Sequence, residues 1–160
     1  MIEKAKANAL RKYFLDHAET VAVAESVTSG LLQLELSGIP DAEKFYQGGI
    51  TAYNLGQKYK HLNVEPIHAV NCNCISQQVA NQMALNVCQL FLSEWGIGIT
   101  GFATPTKESQ NKIFCFYAIA VRGQIISSSQ IISKKLKPRE VQQFYCDEIL
   151  SDLLNKLESL

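Results

Sequence analysis

Val21-Ala22-Val23-Ala24-Glu25-Ser26-Val27-Thr28-Ser29-Gly30-Leu31-Leu32-Gln33-Leu34-Glu35-Leu36 is the stretch on which the fold turns. Residues 21–24 are apolar without interruption, the pattern of a short strand covered on both faces. From about Thr28 the apolar positions change rhythm: Leu31, Leu32 and Leu34 belong to a helix that runs to about Leu36. Ser37-Gly38-Ile39-Pro40 then breaks it. A buried strand passing through a small polar turn into a helix is one unit of an α/β protein.

The rest of the chain continues the alternation. Residues 2–17 form an amphipathic helix, 49–53 a strand, and 58–62 the start of another short helix, while 66–75 reads as irregular. Ser76 has the position of an N-cap, with Val79, Met83, Val87 and Leu90 on one helical face behind it. Residues 95–100 read as a strand and 101–112 as a polar loop. Residues 113–121, rich in Ile, Phe, Tyr and Val, form a strand that turns at Arg122-Gly123 into a partner over 124–133. Pro138 opens a last helix carrying Val141, Tyr145, Leu150, Leu153 and Leu157. The expected fold class is α/β, a sandwich of helices around a mixed sheet, as a single domain over residues 1–160.

Composition narrows the function. Fifteen basic residues balance fifteen acidic ones, so the chain lacks the positive field of a nucleic-acid or anionic-membrane binder. No apolar run has the length of a membrane span, and the charged amphipathic start is unlike a signal peptide. A cytoplasmic protein is expected. The five cysteines, Cys72, Cys74, Cys88, Cys115 and Cys146, are an odd number and read as free thiols. Cys72-x-Cys74 lacks a second pair or a histidine at ligand spacing, and no metal is expected. His17, His61 and His68 suggest packing or surface roles.

Three segments have the residue types for chemistry. In Ala24-Glu25-Ser26-Val27-Thr28-Ser29-Gly30, at a strand-to-helix junction, Ser26 is a candidate nucleophile if a base takes its proton. Backbone N–H groups near Thr28 to Gly30 would face an anion or a developing oxyanion. The plainer reading is that Ser26 or Thr28 caps the helix. In Gly48-Gly49-Ile50-Thr51-Ala52-Tyr53-Asn54-Leu55-Gly56-Gln57-Lys58, a strand delivers Tyr53 and a loop delivers Lys58. Lys58 serves as a base only if burial or nearby charge lowers its pKa; otherwise it is a solvated lysine, and Tyr53 a half-buried core residue. In Gly96-Ile97-Gly98-Ile99-Thr100-Gly101-Phe102-Ala103-Thr104-Pro105 a strand again ends at a polar residue, Thr100. Gly96-x-Gly98 lacks the third glycine of a dinucleotide fingerprint and looks like the strand itself.

Taken in order, these segments resemble the C-terminal domain of the competence/damage-inducible protein CinA. That family's pattern is Ala-Glu-Ser-Cys-Thr-Gly-Gly, then Gly-Gly…Tyr-Ser-Asn-Glu-x-Lys, then Thr-Gly-Ile-Ala-Gly-Pro. Here they stand as AESVTSG, GGITAYNLGQK and TGFATP. Ser76-x-x-Val79-Ala80-x-x-Met83-Ala84 matches a further family helix. The resemblance implies a three-layer α/β/α fold and hydrolysis of the carboxamide of nicotinamide mononucleotide to nicotinic acid mononucleotide and ammonia, without metal or organic cofactor. It implies Ser26 as nucleophile, Lys58 as base and Tyr53 as a neighbouring catalytic residue. Thr28, Ser29, Gly30, Gly49, Thr100, Gly101 and Arg139 are the implied substrate-binding positions, a pyridine nucleotide the implied small-molecule partner, and a homodimer the implied assembly.

Departures from the pattern leave a second reading open. The family cysteine is Val27, the first of its two glycines is Ser29, and its Gly-Pro-Gly-Gly loop is Thr104-Pro105-Thr106-Lys107. Lys-Pro-x-Gly is replaced by Asn111-Lys112-Ile113-Phe114, and Gly-Ala-Val-Ser by Asn73-Cys74-Ile75-Ser76. The separate N-terminal domain of longer family members is not expected. The alternative is a catalytically impaired descendant that binds a nucleotide or anion without turnover. A protein that only associates through its surface is a third.

Overall fold

The computed structural model describes residues 2–135 and 137–159. Strand β1 (Val21–Glu25) is buried along its whole length. It pairs in parallel with β2 (Tyr46–Thr51) on one side and β3 (Trp95–Gly101) on the other. Strands β4 (Phe114–Val121) and β5 (Gln124–Ile132) continue the sheet antiparallel, in the order β2-β1-β3-β4-β5.

The two faces differ in side-chain size, and this sets where the helices sit. Val21, Val23, Trp95, Ile97 and Ile119 project to one face, under α1 (Lys4–His17), α2 (Leu31–Ser37) and α6 (Pro138–Glu158). Ala22, Ala24, Ala118 and Ala120 project to the other, under α3 (Leu55–Leu62), α4 (Pro66–Asn71) and α5 (Gln77–Phe91). The result is the three-layer α/β/α sandwich around a mixed sheet. Gly96 and Gly98 face α5, where an added Cβ would stand 2.3 Å from the Ala84 carbonyl oxygen and 2.4 Å from that of Ala80. The Gly96-x-Gly98 pair therefore lets a helix backbone rest directly on the strand.

On the bulky face, Trp95 is fully buried and its Nε1 donates to Glu19 Oε2 at 2.6 Å. Arg122 pairs with the same carboxylate. Among the described residues no helix is long and apolar enough to cross a membrane, and no group of three His, Cys, Asp or Glu is arranged to hold a metal ion.

Several elements differ from the sequence expectation. Residues 66–71 are helical rather than irregular: Pro66 opens α4 and the Glu65 carboxylate accepts from Ile67 N at 2.9 Å and His68 N at 2.6 Å. Strand β2 starts at Tyr46, ahead of its two glycines, because pairing with β1 supplies what local propensity withholds. Helix α3 starts at Leu55, three residues before the expected 58, capped by Asn54 Oδ1 accepting from Gln57 N at 3.1 Å, so Lys58 lies inside the helix and is not delivered by a loop. Helix α2 starts at Leu31 rather than near Thr28.

Candidate functional site

Strand β1 leads through α2 to β2 on one side, and the chain then returns across it to β3 on the other. This reversal opens a crevice beyond the C-terminal end of β1, the usual ligand position in open α/β sheets. Ser26 is the first residue past that end and is buried.

The turn after Ser26 is held from below by Glu25. Its fully buried carboxylate accepts from Gln33 N at 2.7 Å, Leu32 N at 3.1 Å and Gly30 N at 3.2 Å. Neither Ser26 nor Thr28 caps α2; the preceding glutamate does so through space. Ser29 N donates to Ser26 O at 3.1 Å. The amides of Ser29 and Gly30 are thus occupied by internal acceptors and face no anion. Among the described residues the amides of Val27 and Thr28 donate to no protein acceptor.

Lys58 is 1% exposed. Its Nζ lies 2.9 Å from Ser26 Oγ and donates to the Ala52 carbonyl at 2.8 Å. Burial holds the Lys58 ammonium below the ordinary lysine range, against a smaller opposing effect of Cys74. A neutral amine here keeps one N–H for Ala52 and has its lone pair free for the Ser26 hydroxyl proton.

Both side chains open onto a cleft of about 650 Å³. Tyr53, Thr100, Gly101, Phe102 and Cys74 also line it. Tyr53 is 74% exposed, at the rim, with no hydrogen bond to the Ser26–Lys58 pair. Thr100 is buried, and its Oγ1 donates to the Cys74 carbonyl at 2.8 Å. Gly101 packs on β4, where an added Cβ would stand 2.5 Å from Cys115 Cα. A second cleft, of about 430 Å³, shares Ser29 and Gln142 with the first and is lined by Thr28, Gly30 and Arg139. Thr28 Oγ1 is buried there without a partner among the described residues. Gly49 lines neither cleft; it packs on Val23 and Gln33.

Two contributors were not singled out by the sequence. Gln142, on α6, donates through Nε2 to the Val27 carbonyl at 2.8 Å and ties the last helix to the Ser26 turn. Glu25 belongs to the Ala24-Glu25-Ser26 motif, but nothing in the sequence shows that its carboxylate caps α2 from below. Ser29 holds a left-handed φ of 54°, a conformation that favours glycine.

The CinA C-terminal domain family matches residues 3–157. The chain belongs to this family. A CinA-like protein of Picosynechococcus is 40% identical over 102 residues, 64% of this chain and 24% of that protein. A CinA-like protein of Trichodesmium erythraeum is 32% identical over 139 residues, 86% of this chain and 33% of that protein. The chain therefore matches only a quarter to a third of the length of these relatives. A crystal structure of a CinA superfamily protein from Klebsiella pneumoniae superposes with a TM-score of 0.90 at 20% identity, over 98% of each chain. A competence or damage-inducible protein from Enterobacter asburiae gives 0.89 at 21% identity, over 95% of this chain and 96% of the other. At such identities the likeness establishes the fold of the CinA C-terminal domain and nothing finer.

Proposed function

We propose that this CinA C-terminal domain is an amidohydrolase that uses Ser26 as nucleophile and Lys58 as general base, with the carboxamide of nicotinamide mononucleotide as the substrate its family resemblance suggests. One observation carries the reading: a lysine nitrogen, buried and held below its ordinary pKa, lies 2.9 Å from a serine hydroxyl at the floor of a cleft. A structural lysine is seldom placed without a carboxylate in such a position, because burying its charge is costly.

In this mechanism neutral Lys58 accepts the Ser26 proton while Oγ attacks the amide carbon. The amides of Val27 and Thr28 are the donors left for the oxyanion, those of Ser29 and Gly30 being occupied. Lys58 returns the proton to the departing ammonia, and water then clears the acyl-enzyme by the same route. In this reading Arg139, Thr28 and Ser29, which line the adjoining cleft, hold the polar remainder of the substrate. Tyr53 acts at the rim, on bound substrate, rather than on the Ser26–Lys58 pair.

Ammonia release from nicotinamide mononucleotide by the purified protein tests the reading, with Ser26→Ala and Lys58→Ala alongside. Release that disappears in both variants supports it. Equal release from Ser26→Ala would sink the nucleophile assignment. Tight binding of the mononucleotide with no release would point to a binding-only descendant.

A further inference from the structure

A primary carboxamide presents one acceptor oxygen and two N–H donors. In the mechanism above its oxygen faces backbone N–H groups, so its NH₂ is the part that still needs an acceptor. No carboxylate lines either the Ser26 cleft or the one beside it. The serine and threonine hydroxyls there can turn to donate or to accept, and so impose no choice. Asn54 spends its side-chain oxygen on the start of α3. Gln142 differs. It lines both clefts, and its Nε2 donates at 2.8 Å to the carbonyl of Val27, the residue that follows Ser26. A carbonyl accepts only from an N–H or an O–H, so this bond fixes which way round the Gln142 amide stands. Its Oε1 has no partner among the described residues. The amide is carried on a stiff base. Pro138, itself a cleft residue, opens α6, and Val141 and Tyr145 beside Gln142 are fully buried. Tyr145 Oη donates at 3.0 Å to the carbonyl of Phe102, another residue of the cleft.

We propose that Gln142 is a specificity-determining residue, whose Oε1 accepts from the carboxamide NH₂ of the substrate and selects primary amides over the carboxylates they become. The assignment rests on the amidohydrolase reading and names the group that recognises its substrate. A carboxylate ligand has no donor to offer at this point, and its oxygen would meet Oε1 acceptor to acceptor. Gln142 cannot turn over to present its NH₂ to the acid without giving up its bond to Val27. The same pairing favours product departure, because hydrolysis replaces the NH₂ with an oxygen that Gln142 does not accept. Gln142 acts on binding and release; proton transfer stays with Ser26 and Lys58.

The test measures dissociation constants by calorimetry for nicotinamide mononucleotide and for nicotinic acid mononucleotide, with Ser26→Ala in the full chain so that neither ligand reacts. The amide should bind about tenfold more tightly than the acid, the effect of one hydrogen bond. Adding Gln142→Met should weaken the amide about tenfold, leave the acid unchanged and abolish the preference. Gln142→Lys keeps a donor for the Val27 carbonyl and has no acceptor, so it should favour the acid. A general loosening of the Ser26 turn weakens both ligands alike, which makes the ratio the decisive readout. An unchanged ratio in Gln142→Met, or an amide preference restored by Gln142→Lys, would overturn the assignment. Equal binding of the two ligands, with ammonia still released by the parent protein, would overturn it and leave the amidohydrolase reading standing. Failure of both mononucleotides to bind would overturn the substrate reading and this assignment with it.

Discussion

Replacing Glu25 with glutamine should destabilise the protein by at least about 3 kcal/mol, although the change is nearly isosteric. The carboxylate accepts from three backbone N–H groups, one through Oε1 (Gln33) and two through Oε2 (Leu32 and Gly30). A glutamine has one acceptor oxygen. In its better orientation that oxygen keeps Leu32 and Gly30, and its NH₂ is turned against the Gln33 N–H. An N–H left without a partner costs about 1–3 kcal/mol, and each surviving bond falls from a charge-assisted value of about 1.5–3 to a neutral one of about 0.5–1.5 kcal/mol. The opposite orientation loses two bonds and is worse. With a urea dependence of about 2 kcal/mol per molar for a domain of this size, the midpoint should fall by at least about 1.5 M. Urea unfolding followed by far-ultraviolet circular dichroism reads this directly. A midpoint within about 0.25 M of the parent would show that water, and not Glu25, satisfies the start of α2.

Other perturbations bear on other parts of the structure. Ser29→Gly removes a left-handed strain of about 1–2 kcal/mol and loses about half of it to the entropy of glycine. The melting temperature should rise by about 2 °C, and a fall would refute the strain. For Lys58 the folded state disfavours the charged form, so the unfolded chain binds more protons between the depressed folded pKa and the ordinary lysine value. Stability contributed by Lys58 should therefore rise with pH across that window, and Lys58→Met should flatten the slope measured by urea unfolding at several pH values. Glu19→Ala leaves the buried Trp95 Nε1–H without its acceptor, at a cost of about 1–3 kcal/mol. Trp95 is the single tryptophan, so its fluorescence reports both the unfolding midpoint and the changed surroundings, and an unshifted midpoint would mean that another acceptor takes over.

The legible parts of the fold were those where one residue's chemistry decides its place. The uninterrupted apolar run at 21–24 and the helical leucines after it define β1 and α2, and the β-branched and aromatic run at 114–121 defines β4. Strand β2 reads as 49–53 in the sequence and lies at Tyr46–Thr51, so its start before the glycines was missed and Tyr53 falls beyond its end; the pairing with β1 that sets these bounds is not local. Helix α4 was missed because six residues containing His68 and Asn71 carry little helical periodicity; Glu65-Pro66, an acid followed by proline, was the available signal. In the site, local sequence favoured a helix cap for Ser26 and a solvated lysine for Lys58, and the resemblance to the CinA family was what singled the two out. Their separation of 32 positions could be closed only by the parallel pairing of β1 with β2. Gln142 lies 115 residues from the carbonyl it holds, and nothing local to it announces the contact.

The bonds around Lys58 also close a ring. Ala52 N donates to the Glu25 carbonyl at 2.8 Å, the Ala52 carbonyl accepts from Lys58 Nζ at 2.8 Å, and Nζ lies 2.9 Å from the hydroxyl of Ser26, which is covalently joined to Glu25. Ser26 Oγ and Lys58 Nζ are therefore both tied to the Ala52–Glu25 bond at the end of β1. In the proposed mechanism this short tether, and not the walls of the cleft, sets the distance that the proton crosses.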